Sequence, residues 1–244
     1  MTPRLPPLEY LPGAEPTGIR EVVVVIPAKD EEELLPRCLA SVDASLRRLA
    51  VAQPRVRAAV VVALDCCRDG SEQVVSRWPA VRGVRLEAGG AGAARAAGVK
   101  EALALTAMPP EKVWIASTDA DSAVPDWWLL HQLDLADAGI DLVLGTVIPD
   151  PEDVAPDRLA AWLAVHELAD GHGHVFGANL GIRASAYLAA GGFPEVPAGE
   201  DAALAQRARE LGMNVRASDG ARVLTSGRLR GRSRGGFADF LAAF

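Results

Sequence analysis

Residues 113–130, VWIASTDADSAVPDWWLL, are the stretch whose reading decides the fold. The first residues are apolar and β-prone, and the run ends in Asp119 and Asp121 with Ala120 between them. Side chains alternate along a strand, so a pleat that persists to Asp121 points both carboxylates the same way. A strand end is also where an open α/β sheet presents its ligands. Pro125 and the helix-like DWWLLHQLDLADAG follow, which puts the pair on a strand-to-helix loop with room for a diphosphate and a hard divalent cation, Mg2+ or Mn2+. Alone, a D-x-D is a weak signal, because a solvated turn in which Asp121 and Ser122 cap the next helix places the same residues there.

Outward from this stretch the chain alternates strands and helices. Residues 21–27, EVVVVIP, form a continuous β-branched run of the kind buried on both faces of a sheet, closed by Pro27. A helical pattern follows, with Leu34, Leu35, Cys38, Leu39, Val42, Leu46 and Leu49 on one face and Asp30 or Glu31 expected to begin it. Residues 58–64, AAVVVAL, repeat the buried-strand signature and run into the polar loop DCCRDGSEQ, with a short helix after it. A third strand is expected over residues 84–87, an alanine-rich helix within 89–105, and a fourth strand over 113–116. This alternation implies a mostly parallel sheet flanked by helices.

The glycine-rich turn before the alanine-rich helix invites a dinucleotide reading, with Gly90, Gly92 and Gly98 in place. It follows the third strand rather than the first, and no acid stands at the expected distance on a second strand, which argues against a nicotinamide site. Arg95, on the first turns of that helix, either reaches toward a phosphate or base or is an ordinary surface arginine.

Composition bounds the answer. The 244 residues, half of them apolar, suffice for one domain with a substantial core. A net charge of -7 disfavours a general nucleic-acid binder. No run reaches the roughly 18 apolar residues of a membrane span. The proline-rich start has no apolar segment of the signal-peptide kind, and the three cysteines do not form a disulfide framework. These features place the chain in the cytoplasm, with a peripheral hold on the membrane as the variant.

Taken together, VVVVIPAKDEEELLPRCLASV, LDCCRDGSEQVV, GAGAARAAGV, TDADS and FGANLGIRASAYLAAGGFP with GEDAALAQRARELG resemble the family 2 glycosyltransferases of the GT-A fold. The resemblance runs from residue 21 to about residue 228 and implies a Rossmann-like, mostly parallel sheet in a single domain. It implies a nucleotide-sugar donor lying against Pro27, Ala28 and Asp65. The segment Asp119, Ala120 and Asp121 would then belong to the metal and diphosphate site, Asn179 would lie near the donor sugar, and Asp201 would be the base with Glu200 beside it in the acceptor pocket. The loop after the second strand departs from the usual D-x-S-x-D-x-T pattern, having Asp65, Arg68, Asp69, Gly70 and Ser71 instead. Base identity is therefore unread.

Chemistry argues the same way without the family. Loss of a nucleoside diphosphate is helped by a cation and positive groups, and a base must take the acceptor proton. Glu200 and Asp201 open an amphipathic helix, where two acids also serve the helix dipole without any catalytic duty. His172 and His174 have metal-ligand spacing but no accompanying cluster, and a histidine lining the acceptor pocket is the better functional reading. Arg222, Arg228, Arg230, Arg232 and Arg234 make the C-terminal stretch basic, and Arg228 is the candidate to meet the diphosphate.

The resulting expectation is a proline-rich arm over residues 1–20 and a GT-A domain over 21–228. Within it, 21–124 form the nucleotide-sugar half and 125–228 the acceptor half, and 229–244 are a basic, flexible end. The acceptor is expected to be a small molecule or lipid head group rather than a protein, with transfer inverting by family resemblance. A sugar nucleotidyltransferase would carry a glycine-rich loop after strand one, where this chain has PAKDEEE. A non-catalytic nucleotide-sugar binder would lack some of the three aspartates, all of which are present. A phosphatase of the haloacid type would place its aspartate after the first strand.

Overall fold

In the computed structural model, β1 (Glu21–Ala28) is the strand on which both faces of the molecule are laid down. The structure describes residues 18–87, 89–196, 198–232 and 236–243, so most of the expected proline-rich arm lies outside the described residues. Val22 through Ile26 are fully buried, and alternation divides them between two cores. Val22, Val24 and Ile26 join Leu35, Leu39, Val42 and Leu49 of α1 (Leu35–Ala52) on one face. Val23 and Val25 join Val99 and Ala102 of α3 (Ala91–Leu105) on the other. The glycines and alanines of α3 let it press close. A Cβ at Gly98 would stand 2.5 Å from Val25 Cγ1.

The remaining strands are β2 (Arg57–Asp65), β3 (Val81–Leu86), β4 (Val113–Ser117), β5 (Ser122–Ala123), β6 (Leu142–Pro149), β7 (Leu180–Arg183) and β8 (Val215–Thr225). They form one sheet in the order β3-β2-β1-β4-β7-β6-β8-β5. β1 to β4 run parallel, β7 is antiparallel to both its neighbours, and β6 and β8 are parallel. From β1 the chain builds outward to β3, then crosses back to lay β4 on the other side of β1. That reversal opens a crevice at the C-terminal ends of β1 and β4, where ligands of open α/β sheets bind.

Two features differ from the sequence reading, the start of α1 and the presence of β8. α1 begins at Leu35 rather than at Asp30 or Glu31, and Pro36 in its first turn marks that start. Asp30 takes a left-handed φ of 52° and accepts the Arg68 N–H, while Glu32 accepts the Gly70 N–H, so these acids tie the first loop to the second instead of opening the helix. β8 was not foreseen at all. The apolar end of the chain forms α8 (Phe237–Leu241) and is docked, with Leu241 fully buried and its carbonyl accepting from Arg158 Nη1 at 3.0 Å. No helix among the described residues is long and apolar enough to cross a membrane.

Candidate active site

The crevice between β1 and β4 widens into a cleft of about 490 Å³ lined by Pro27, Ala28, Asp65, Ala120, Asp201 and the residues considered below. The β4 pleat ends at Ser117, so Asp119 and Asp121 are placed by the loop and not by strand alternation. The two carboxylates meet different arginines. Asp119 Oδ1 is bonded by Arg95 Nη2, and Asp121 Oδ2 lies 2.9 Å from Arg228 Nη2.

Arg95 is 4% exposed, so it is not an ordinary surface arginine, and it lines the cleft from within. Its other terminal nitrogen bonds Glu200 Oε1, at the start of α7 (Glu200–Glu210). One guanidinium thus joins the aspartate loop to the acids of α7. Burial opposes its charge, but Asp119, Glu200 and Asp201 hold its pKa above the ordinary guanidinium range. Gly177, in the turn Gly177–Asn179, makes this possible, because a Cβ there would stand 2.6 Å from Arg95 Cζ.

Arg228 does the same on the other side. Its Nη1 lies 2.8 Å from Glu31 Oε2 and its Nη2 lies 2.5 Å from Glu31 Oε1, in a bidentate pair. β8 delivers it: Ser122 and Thr225 pair across β5 and β8, and Ser226 N–H donates to the Asp121 carbonyl at 3.1 Å. Burial, then the neighbouring Asp119, pushes the Asp121 carboxyl up to about 7, with Glu31 adding to the shift and Arg228 opposing it. Under the loop, the buried Cys38 thiol donates to the Asp119 carbonyl at 3.3 Å. Burial, with Asp121 and Asp119, raises that thiol well above the usual range and keeps it protonated.

At the end of β2, Asp65 is 2% exposed. Its Oδ2 accepts the Gly90 N–H at 2.9 Å and lies 3.5 Å from Lys29 Nζ, whereas Oδ1 is buried and has no hydrogen-bond partner among the described residues. An orphaned acceptor is costly until something donates to it. Across the cleft, Asp201 accepts, among the described residues, two backbone N–H groups, from Gly177 at 2.6 Å and Ala202 at 2.8 Å.

Asn179 is the sequence-derived site residue that the structure moves out of the cleft. It is 2% exposed, its Nδ2 donates to the Thr146 and Ala221 carbonyls at 2.8 and 2.9 Å, and its Oδ1 accepts from Trp128 Nε1 at 2.9 Å. The amide fastens β6, β8 and α4 (Trp128–Asp137) together and spends both of its Nδ2 hydrogens there. Asn179→Ala is expected to cost about 3 kcal/mol by leaving buried polar groups unpaired. Melting followed by calorimetry checks this, the expected drop being about 6–12 °C for a chain of this size. Of the histidine pair, His172 has both ring nitrogens hydrogen-bonded, to the Leu144 carbonyl and the His174 N–H, whereas His174 lines the cleft together with His166.

Lys29 and Glu31 are cleft residues that sequence reasoning passed over. Glu31 reads as a helix-opening acid until Pro36 is taken as the start signal, which leaves the preceding acids in a loop free to turn inward. A set of aromatic residues at the far end of the cleft was also missed, because Phe176, Phe237 and Phe240 come from separate segments with no common local pattern.

Comparison with known proteins agrees with this fold. The TarS 1-349 structure from S. aureus, solved with UDP-GlcNAc, superposes with a TM-score of 0.60 at 17% identity, covering 87% of this chain and 60% of that one. A mannosyltransferase from Pyrobaculum calidifontis, PcManGT, solved with GDP-Man and Mn2+, gives a TM-score of 0.61 at 20% identity, over 90% of this chain and 60% of that one. Glucosyl-3-phosphoglycerate synthase from Mycobacterium tuberculosis, solved with Mn2+, UDP and glucosyl-3-phosphoglycerate, gives 0.55 at 18% identity, over 92% and 75%. The chain spans about 60% of the length of the first two. No curated protein sequence matches it. The family model for glycosyl transferase family 2 matches residues 23–182, well over half of the sequence, and with this sheet order and this cleft the chain belongs to that family and has its GT-A fold.

Proposed function

We propose that this chain moves a sugar, of the hexosyl type, from a nucleoside-diphosphate sugar to an acceptor hydroxyl, with a divalent cation at Asp119 and Asp121 and with Asp201 as base. The observation that carries this reading is the Arg95 bridge, which brings the aspartate loop and the acids of α7 to one cleft at the reversal point of the sheet. The donor set suits a hard cation. Each arginine takes one oxygen of its aspartate, and the second Asp121 oxygen has only a 3.4 Å contact from the Ser122 hydroxyl. When bound, Mn2+ or Mg2+ would offset the charge that departs with the diphosphate.

The chain's own residues account for the rest. Pro27, Ala28 and Asp65 would flank the nucleoside, and the orphaned Asp65 Oδ1 is an acceptor waiting for a base or ribose donor. Arg228 stands where it can leave Glu31 and Asp121 for the diphosphate. Asp201, free of any ion pair among the described residues, would take the acceptor proton as the oxygen attacks. Attack opposite the departing diphosphate makes the transfer inverting, an assignment that rests on the family. The complexes of the structural relatives with UDP-GlcNAc and with GDP-Man and Mn2+ support the donor class.

Melting the protein with UDP, GDP, dTDP, CDP or ADP, with and without Mn2+, tests the reading. One diphosphate should raise the melting temperature only when Mn2+ is present. At about 100 times its Kd the gain is about 2.7 kcal/mol, or roughly 5–10 °C. No shift with any of them would overturn the donor site.

A further inference from the structure

Beyond Asp201 the cleft is built of rings rather than charges. His166 stacks on the fully buried Trp162, with centroids 4.0 Å apart and planes 7° from parallel. His174 follows at 4.8 Å from His166, and Phe176 at 5.7 Å from His174. Phe237 meets Phe176 edge-on at 6.3 Å, and Phe240 meets His166 edge-on at 5.3 Å. The wall touches the base through one residue, because Gly177, adjoining Phe176, donates its N–H to Asp201.

Charge is distributed in the opposite way. Among the described residues the cations lining the cleft are Lys29, Arg95, Arg228 and Arg232, and each faces acids: Asp65 for the first, Asp119 and Glu200 for the second, Glu31 and Asp121 for the third, Glu31 for the fourth. Burial, then His166 and His172, holds the His174 imidazole below its ordinary range, so it is uncharged at neutral pH. An anionic acceptor brought to Asp201 would meet the carboxylates of Asp201 and Glu200, and among the described residues the lining cations already face acids. Flat apolar surfaces, by contrast, pack on such rings face-on or edge-on.

We propose that the acceptor is an uncharged alcohol carrying an apolar aromatic or alicyclic ring, seated against Phe176, Phe237 and Phe240 with its hydroxyl toward Asp201. This rests on the transfer reading above. In the step, the acceptor oxygen forms a bond to the anomeric carbon, and the bond from that carbon to the diphosphate oxygen breaks. The electron pair leaves with the nucleoside diphosphate, and the hydroxyl proton passes to the Asp201 carboxylate.

The test uses the full chain, saturated with whichever diphosphate and Mn2+ raise its melting temperature, and reads binding by saturation-transfer NMR and titration. The probes are 2-phenylethanol, cyclohexylmethanol, glycerol 3-phosphate and methyl glucoside. The two ring-bearing alcohols should bind and the other two should not. Phe240 is 47% exposed, so Phe240→Ala folds, and it should weaken 2-phenylethanol roughly tenfold. Tighter binding of the phosphate or the glycoside, or a Phe240→Ala protein that holds 2-phenylethanol as well as the native chain, overturns the proposal. Absence of any diphosphate shift would sink the transfer reading itself, whereas a shift with no ring-bearing alcohol bound sinks the acceptor inference alone.

Discussion

Asp201→Asn should cut sugar transfer by roughly 10²–10⁴-fold, the usual contribution of a positioned general base, while diphosphate and Mn2+ still bind. The choice of Asp201 over Glu200 is geometric. Glu200 is 5% exposed and committed to Arg95, so taking a proton there would weaken a buried ion pair. Asp201 is only partly buried, lines the cleft, and accepts two backbone N–H groups that remain in place when it changes charge. Asparagine keeps the shape and can accept from one of those N–H groups, so the fold loses little beyond the helix-dipole term of about 0.3–1 kcal/mol. Single-turnover transfer measured beside diphosphate-dependent melting separates the possibilities. A loss smaller than about tenfold would move the base elsewhere. Joint loss of diphosphate binding would place Asp201 on the donor side.

How much of this could be read from the chain depends on where each residue's partners lie. β1 and β2 are legible because strands buried on both faces must be apolar at every position, and Val22–Ile26 and Val60–Leu64 are. β8 is not, because VRASDGARVLT is interrupted by Asp219 and Gly220, and it is long-range pairing, with β6 on one side and β5 on the other, that makes it a strand. The same division runs through the site. Asp65, Asp119, Asp121, Glu200 and Asp201 sit at or beside strand and helix ends, where local pattern points, and all line the cleft. Their pairing is invisible locally: Arg95 and Glu200 are 105 residues apart, and Glu31 and Arg228 are 197. Asn179 shows the converse. A motif position drew attention to it, but its burial between Trp128, Thr146 and Ala221 is a property of packing.

Arg95→Met should destabilise the chain by about 3–5 kcal/mol, the cost of breaking a buried ion pair by removing one member. Methionine fills much of the space, so the loss is electrostatic: the Glu200 side chain, 7% exposed, is left without its cation, and Asp119, at 31%, keeps access to water and suffers less. Lysine is a poor substitute, since it has one nitrogen where the planar guanidinium sets two terminal nitrogens, one on Glu200 and one on Asp119, and Arg95→Lys should fall between the native chain and Arg95→Met. Adding Glu200→Gln to Arg95→Met removes the stranded charge, and the double variant should recover more than half of the lost stability. Non-additivity of that size marks two residues acting as one unit. Transfer should not recover, because Arg95 also holds the aspartate loop against α7. Urea unfolding of the three variants, with diphosphate-dependent melting alongside, reads both effects. If Arg95→Met costs less than about 1 kcal/mol, as an exposed pair would, the bridge does not hold the two halves of the cleft together.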